Sequence, residues 1–325
     1  MAVMLLSRVA DRIYWAARYL ERAEDTARIV RAHTEMLADL PTQSPAMWKP
    51  LIVVAGSSAR YDARFGEEIS ENAVVSFLLS DHDNPGSVVS CVGAARDNLR
   101  TTRETIPRDG WQALNDSYLY VNVEVDRGVD RRARERFLGR VIADSRRIDG
   151  ILATTMNHDE AYAMWRLGRA IERADMTTRV LGVRAASVLS ESEAASAGEP
   201  DGPPPRRRHD ELQWMGVLRS LSGQQMYSRS VRGPIEGPAV VHFLLEHDRF
   251  PRAVRALLRE IRRALNDLPA PARLLDKVDQ IDAVLRDSTA DGIDGEELDG
   301  AMDALQVAIA SLDLLIHHHY LRLGS

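Results

Sequence analysis

Two short clusters of glutamate and arginine are the residues of this sequence best suited to chemistry. They comprise Arg18, Glu21, Arg22 and Arg28 in the first cluster and Arg169, Glu172, Arg173 and Arg179 in the second. A glutamate in such a cluster can act as a general base while the arginines hold a carboxylate or phosphate. The same residue types also form ion-pair networks that join parts of a fold. Residue types and spacing alone are compatible with both uses.

The clusters allow three interpretations that differ in burial. On a solvated helix face, Arg18 would pair with Glu21 and Glu24 with Arg28, and each pair would contribute about 0.2–0.5 kcal/mol. On a covered face, the same side chains would form a buried network or a pocket for an anion or a partner. Because the two clusters carry the same residues, the buried network is favoured first, the ligand or partner site second and the solvated face last.

The clusters belong to an internal repeat. RYLERAEDTARIV, residues 18–30, and RAIERADMTTRVL, residues 169–181, share six of thirteen residues at a spacing of 151. Downstream, Trp48 and Trp214 are separated by 166, as are Pro85 and Pro251. The change from 151 to 166 places fifteen extra residues in the second copy. The sequence therefore predicts a duplicated unit.

Helical periodicity runs through both copies. Apolar residues recur at steps of three and four in residues 6–37 and again in residues 164–188, which predicts two long helices. Further helices are expected at 131–156 and 296–323, and the apolar run at 51–56 is also assigned to helix. Asn84-Pro85 resembles an N-cap followed by a first-turn proline. We expect an all-α helical bundle of two pseudo-symmetric tandem repeats, residues 1–140 and 141–325, with a Pro-rich loop near 191–210.

Charge, cysteine content and apolar runs limit the classes to which this protein can belong. The 325 residues carry 42 Lys and Arg against 48 Asp and Glu, a net charge of -6, which argues against a general nucleic-acid binder. A single cysteine, Cys91, permits no disulfide within the chain. The amino terminus lacks the pattern of a signal peptide, and no run reaches the roughly 18 apolar residues of a membrane span. We therefore expect a soluble, cytoplasmic protein that binds no membrane.

Other residues offer weaker sites. No phosphate-binding glycine loop, dinucleotide fingerprint, HExxH or GxSxG motif is present in the sequence, so no cofactor and no metal are expected. The triplets Asp81-His82-Asp83 and Glu246-His247-Asp248 favour a loop or capping role over metal binding. His158, Asp159 and Glu160 favour an N-terminal cap, and Cys91 favours a buried, inert thiol.

The two motif segments resemble the bacterial Alpha-E family, whose all-helical proteins are named for a repeated Glu-Arg motif. The resemblance rests on WAARYLERAEDTAR, WRLGRAIERADMTTR and RETIPRDGWQALN and covers most of the chain. It implies an all-helical fold and a role beside ATP-grasp amide-forming enzymes and transglutaminase-like proteins. It supplies no catalytic residue.

Three functions follow as hypotheses. The first, which we favour, is a helical accessory or co-catalytic partner of an ATP-grasp-type amide ligase in peptide synthesis, modification or turnover. The second is a stand-alone enzyme that acts on a peptide, with Glu21 or Glu172 as general base and Arg18, Arg22, Arg169 or Arg173 holding an anion. The third is a structural scaffold.

Overall fold

A computed structural model describes residues 6–38, 44–196, 206–289 and 295–321, and these residues form an all-α fold without strands. Fourteen α-helices are described, together with short 3-10 turns at Pro45–Trp48 and Arg103–Thr105 and a π-helical turn at His317–Leu321. The helices are α1 Ser7–Ala38, α2 Lys49–Val54, α3 Ser58–Phe65, α4 Glu71–Leu79, α5 Val88–Arg100, α6 Arg108–Val129, α7 Arg131–Thr155, α8 Glu160–Ser196, α9 Arg206–Ser220, α10 Gln224–Ser230, α11 Gly237–Glu246, α12 Val254–Asn266, α13 Ala272–Thr289 and α14 Gly295–Ile316.

Helices of similar length recur along the chain. We call α1–α7 the first series and α8–α14 the second series. Helices α5 and α12 have thirteen residues each and begin 166 residues apart, as the sequence spacing predicts. Tyr61 packs edge-on against Phe77 with ring centres 5.2 Å apart, and Tyr227 packs in the same way against Phe243 at 5.5 Å. The predicted division after residue 140 falls within α7 and stays a prediction.

The two long helices that carry the clusters, α1 and α8, lie in the middle of the fold. Helix α1 contacts α5, α7, α8 and α9, and α8 contacts α1, α2, α12 and α14. Gly168 of α8 permits this close approach, because a Cβ atom at that position would lie 2.5 Å from the carbonyl oxygen of Tyr14. Helix α1 is consequently buried on nearly every side between Ile13 and Val30.

Of two local predictions, one is confirmed and one is wrong. The segment at 51–56 is helical as expected, since α2 covers most of it. The expected helix start at Asn84-Pro85 is wrong. The Asn84 amide donates to the carbonyl of Phe77 at 2.9 Å and closes a turn, whereas Ser87 caps α5 by accepting from the backbone N–H of Ser90.

The described ends of the predicted loop at 191–210 are helical, because α8 continues to Ser196 and α9 begins at Arg206. The remainder of the predicted loop, residues 197–205, lies outside the described part of the chain.

One described segment, Glu297–Leu321, is long and apolar enough to cross a membrane by length and composition. Buried core helices of soluble proteins meet the same criterion. In this segment Met302, Leu305 and Ile309 are buried, and α14 packs against α8 and α13. The segment is therefore weak evidence for a membrane span.

Candidate functional site: crossed Glu-Arg clusters

The two clusters face each other where α1 meets α8. Glu172 of α8 accepts hydrogen bonds from two arginines of α1. Arg18 Nε lies 2.8 Å from Oε2 of Glu172, and Arg22 Nε lies 2.6 Å from Oε1. Glu172 is 1% exposed, so this carboxylate is held entirely by the opposite helix.

Glu21 of α1 has the reciprocal arrangement. Its Oε2 lies 2.5 Å from Nη2 of Arg169, and its Oε1 accepts from Nε of Arg173 at 2.8 Å. Glu21 has no exposed surface. Each motif glutamate is therefore bound by two arginines of the other motif, and the pairing of Arg18 with Glu21 expected on a solvated face is replaced by these crossed pairs.

In each cluster, the first arginine also pairs with an aspartate from the last helix of the opposite series. Asp313 of α14 lies 2.6 Å from Nη1 of Arg18 and accepts a hydrogen bond from the hydroxyl of Tyr14. Asp149 of α7 lies 3.1 Å from Nη1 of Arg169 and accepts from the indole nitrogen of Trp165 at 3.0 Å.

The sequence analysis missed both aspartates. A signal for them was present, because Asp149 and Asp313 are separated by 164 residues, close to the spacing of the downstream repeat.

Helix α1 carries two further buried acids. Glu24 accepts from the Ser145 hydroxyl at 2.9 Å and from Arg252 at 3.1 Å, and Asp25 accepts from Arg252 at 3.0 Å. Arg252, in the turn before α12, is 7% exposed. At the spacing of 151, Asp25 corresponds to Met176, so this part of the network belongs to one motif only.

The last two predicted residues, Arg28 and Arg179, contact the opposite series at the end of α9 and at the turn after α2. Arg28 pairs with Asp25 and donates from Nη1 to the carbonyl oxygen of Ser220 at 2.5 Å. Arg179 pairs with Asp175 at 2.8 Å and lies against Gly56, where a Cβ atom would be 2.6 Å from its Nη1. All eight predicted residues thus lie in or beside the contact of α1 with α8.

The network is close to electrical balance. It joins seven arginines with six carboxylates: Arg18, Arg22, Arg28, Arg146, Arg169, Arg173 and Arg252 with Glu21, Glu24, Asp25, Asp149, Glu172 and Asp313. Such compensation is what permits charges to be buried, because an unpaired buried charge costs several kcal/mol.

The arginines fix the charge state of both motif glutamates. Burial alone would raise the pKa of Glu172, but Arg22 and Arg18 outweigh burial and bring this pKa to about 2. Burial is likewise outweighed at Glu21, where Arg169, Arg173 and Arg252 hold the pKa well below its ordinary value. A general base at neutral pH needs a pKa near 7 and access to substrate. The two motif glutamates meet neither condition.

The weaker candidates have local roles. Asp81 and Asp83 pair with Arg64 at 3.1 and 2.9 Å, and the His247 ring accepts from the backbone N–H of Phe250 at 3.0 Å. Asp159 caps α8 through the backbone N–H of Ala161 at 3.0 Å.

Cys91 also matches the expectation of an inert thiol. Its side chain is fully buried, and burial raises its pKa to about 12. The thiolate form that attacks electrophiles is therefore scarce at neutral pH.

The protein is therefore an all-α protein whose two central helices are joined by crossed Glu-Arg clusters. The chain belongs to the Alpha-E family, described as a predicted alpha-helical domain with a conserved ER motif, and the match covers residues 5–321.

Uncharacterized proteins of Mycobacterium bovis and Mycobacterium tuberculosis are similar to the chain, each 23% identical over 329 residues. The match covers 94% of this chain but 35% of each relative, so the chain spans about a third of the length of these proteins. No solved structure matches the chain.

Proposed function

We propose that this protein is a helical accessory or co-catalytic partner of an ATP-grasp-type amide ligase, and that its Glu-Arg clusters hold the fold together. The observation that carries the second part is the burial of Glu21 and Glu172, each between two arginines of the opposite motif. The two motif glutamates therefore serve the architecture of the fold, and function falls to other groups of the protein.

The crossed pairs also support a pseudo-symmetric arrangement of the two series. Arg18 with Glu172 corresponds to Arg169 with Glu21, and Arg18 with Asp313 corresponds to Arg169 with Asp149. We propose that α1–α7 and α8–α14 are two copies of one unit related by an approximate two-fold axis between α1 and α8.

Two observations favour a partner over a stand-alone enzyme. The motif glutamates are ionised, buried and fully engaged, which removes the general base on which the enzyme hypothesis depended. The relatives carry the matched region within much longer chains. In those proteins the matched region lies beside further sequence, which supports a role alongside another protein. ATP-grasp-type and transglutaminase-like proteins, in the cytoplasm, are the partners that the family resemblance suggests.

Helix α14 offers a surface for such a partner. Val307 and Leu314, two turns apart, are 67% and 61% exposed, and Ala304 and Ala310 between and beside them are also exposed. At a spacing of 164 these two large residues correspond to Ala143 and Gly150 of α7, which are exposed as well. Exposed large apolar side chains on one face of a helix are a feature of protein interaction sites.

The test is co-purification of the tagged chain with an ATP-grasp protein from the same cell. We expect a near-stoichiometric complex that Val307→Glu/Leu314→Glu disrupts while the melting temperature is unchanged. The matched control is Leu119→Glu/Val123→Glu on α6, whose side chains are also exposed. This control should leave the complex intact.

Recovery of the chain alone, with the ATP-grasp protein shown to be expressed, would contradict the proposed partnership. Equal loss of the complex in both double variants would contradict the role of α14.

A further inference from the structure

We propose that a cavity between α8 and α12 is a binding site for a small multivalent anion, one that carries phosphate groups or clustered carboxylates. The cavity measures about 450 Å³, within the range of small-molecule sites. It lies beside the crossed clusters but is separate from the partner surface on α14, and the inference does not depend on the proposed partner.

The cavity has an unusual excess of positive charge for a protein of net charge -6. Six arginines line it, namely Arg166, Arg169, Arg173, Arg249, Arg259 and Arg263, with three acids, Asp149, Asp248 and Glu260. Two further acids bound to these arginines reduce the excess to one. They are Glu21, buried beneath Arg169 and Arg173, and Asp267, which lies 3.0 Å from Arg166. The cavity therefore retains about one positive charge that these acids do not balance.

Two of the lining arginines have no close acidic partner. Arg166 is held by Glu260 at 2.7 Å, and Arg259 by Asp248 at 3.2 Å. By contrast, Arg249 and Arg263 have their nearest acidic oxygens at 3.9 and 4.0 Å, and their side chains are 88% and 73% exposed. These two guanidinium groups are available to a ligand at the rim of the cavity.

The floor of the cavity is preorganised. Arg173 is fixed by its Nε bond to Glu21, and 21% of its side chain is exposed. Arg169, whose side chain is 4% exposed, also lines the cavity, and its Nε has no hydrogen-bond acceptor among the described residues. Guanidinium groups that are held in place bind phosphate and carboxylate without first losing conformational freedom. An anion in the cavity would thus meet fixed donors below and exposed donors at the rim.

The repeat separates these arginines into two kinds. Arg169 and Arg173 correspond to Arg18 and Arg22, as expected for residues that the fold requires in both copies. The other four have no arginine at the corresponding positions, where Trp15, Asp83, Gly93 and Asp97 stand in place of Arg166, Arg249, Arg259 and Arg263. Arg166 and Arg259 are engaged by acids of the second series, so it is Arg249 and Arg263 that point to a ligand.

The test is isothermal titration at low salt with two probes, inorganic pyrophosphate and citrate, which distinguish phosphate from carboxylate recognition. We expect at least one probe to bind, and Arg249→Gln/Arg263→Gln to weaken that binding tenfold or more. The matched control is Arg262→Gln/Arg286→Gln, which removes the same charge from α12 and α13 outside the cavity. The control should retain the affinity within about twofold.

Thermal melting verifies that both double variants are folded, which is expected because the substituted side chains are exposed or partly exposed. Absence of binding by either probe to the unaltered protein would overturn the site. Equal weakening in the cavity variant and the control would also overturn it, because the binding would then reflect net charge alone.

Discussion

Replacing Glu172 by glutamine tests whether the crossed clusters stabilise the fold. Glutamine preserves the shape of the side chain but removes its charge. Arg18 would keep Asp313 as a partner, whereas Arg22, 29% exposed, would lose the one carboxylate that it contacts among the described residues. Breaking a buried ion pair in this way costs about 3–5 kcal/mol.

This cost can be measured as a change in melting temperature by circular dichroism. An unfolding entropy of roughly 2.1 cal/mol/K per residue, over 325 residues, gives about 0.7 kcal/mol/K. We therefore expect Glu172→Gln to lower the melting temperature by about 4–7 °C. The control is Glu35→Gln, which breaks the exposed pair of Glu35 with Arg31 and should lower the melting temperature by less than about 1 °C.

A double-mutant cycle with Arg22→Gln sharpens the test. In the Glu172→Gln background the second substitution removes a charge that is already unpaired, so it should cost less than it does alone. A decrease for Glu172→Gln no larger than that of Glu35→Gln would refute a buried structural network. Simple additivity of the two substitutions would refute their direct coupling.

Three further predictions concern the core. Burial lowers the pKa of His33 to about 4. Folding therefore favours the neutral imidazole, whose pKa in the unfolded chain is about 6.5. The free energy of unfolding should decrease by about 2 kcal/mol as the pH falls from 8 to 5, because His33 must then be buried without its proton. His33→Phe should reduce the decrease in melting temperature over this range, and an unchanged decrease would contradict the assignment. Gly168→Ala places a Cβ atom 2.5 Å from the carbonyl oxygen of Tyr14, so it should destabilise the contact of α1 with α8 by about 1–3 kcal/mol, and an unaltered melting temperature would disprove the close approach. Cys91 should resist a thiol reagent until the protein is denatured, and rapid labelling of the native protein would show that it is accessible.

The sequence is informative about the fold because its helical periodicity and its repeat support each other. Long apolar periods locate α1 and α8, and equal spacings locate α5 with α12. The error at Asn84 has a local cause, since Asn-Pro is compatible with both a helix start and a tight turn. A bond to the preceding helix decides between them here, because the Asn84 amide donates to the carbonyl oxygen of Phe77 in α4.

The candidate site was only partly predictable. The identity of Glu21 and Glu172 in the two motifs indicates that these residues are under a common constraint. It does not show that each binds the arginines of the other motif, because that depends on how α1 packs on α8. The part played by Arg252 could not be predicted for a further reason. It corresponds to a glycine, Gly86, so the repeat gives no indication of it.

The crossed pairing has an evolutionary consequence. A change at Glu21 leaves Arg173 without its carboxylate, while Arg169 keeps Asp149, so the change is tolerated best when a residue about 150 positions away changes with it. An intermediate with one unpaired charge would lose about 3–5 kcal/mol of the 5–15 kcal/mol that typically stabilises a protein. Mutual dependence of this kind is sufficient to preserve a Glu-Arg motif over long periods of descent, even where the motif performs no reaction.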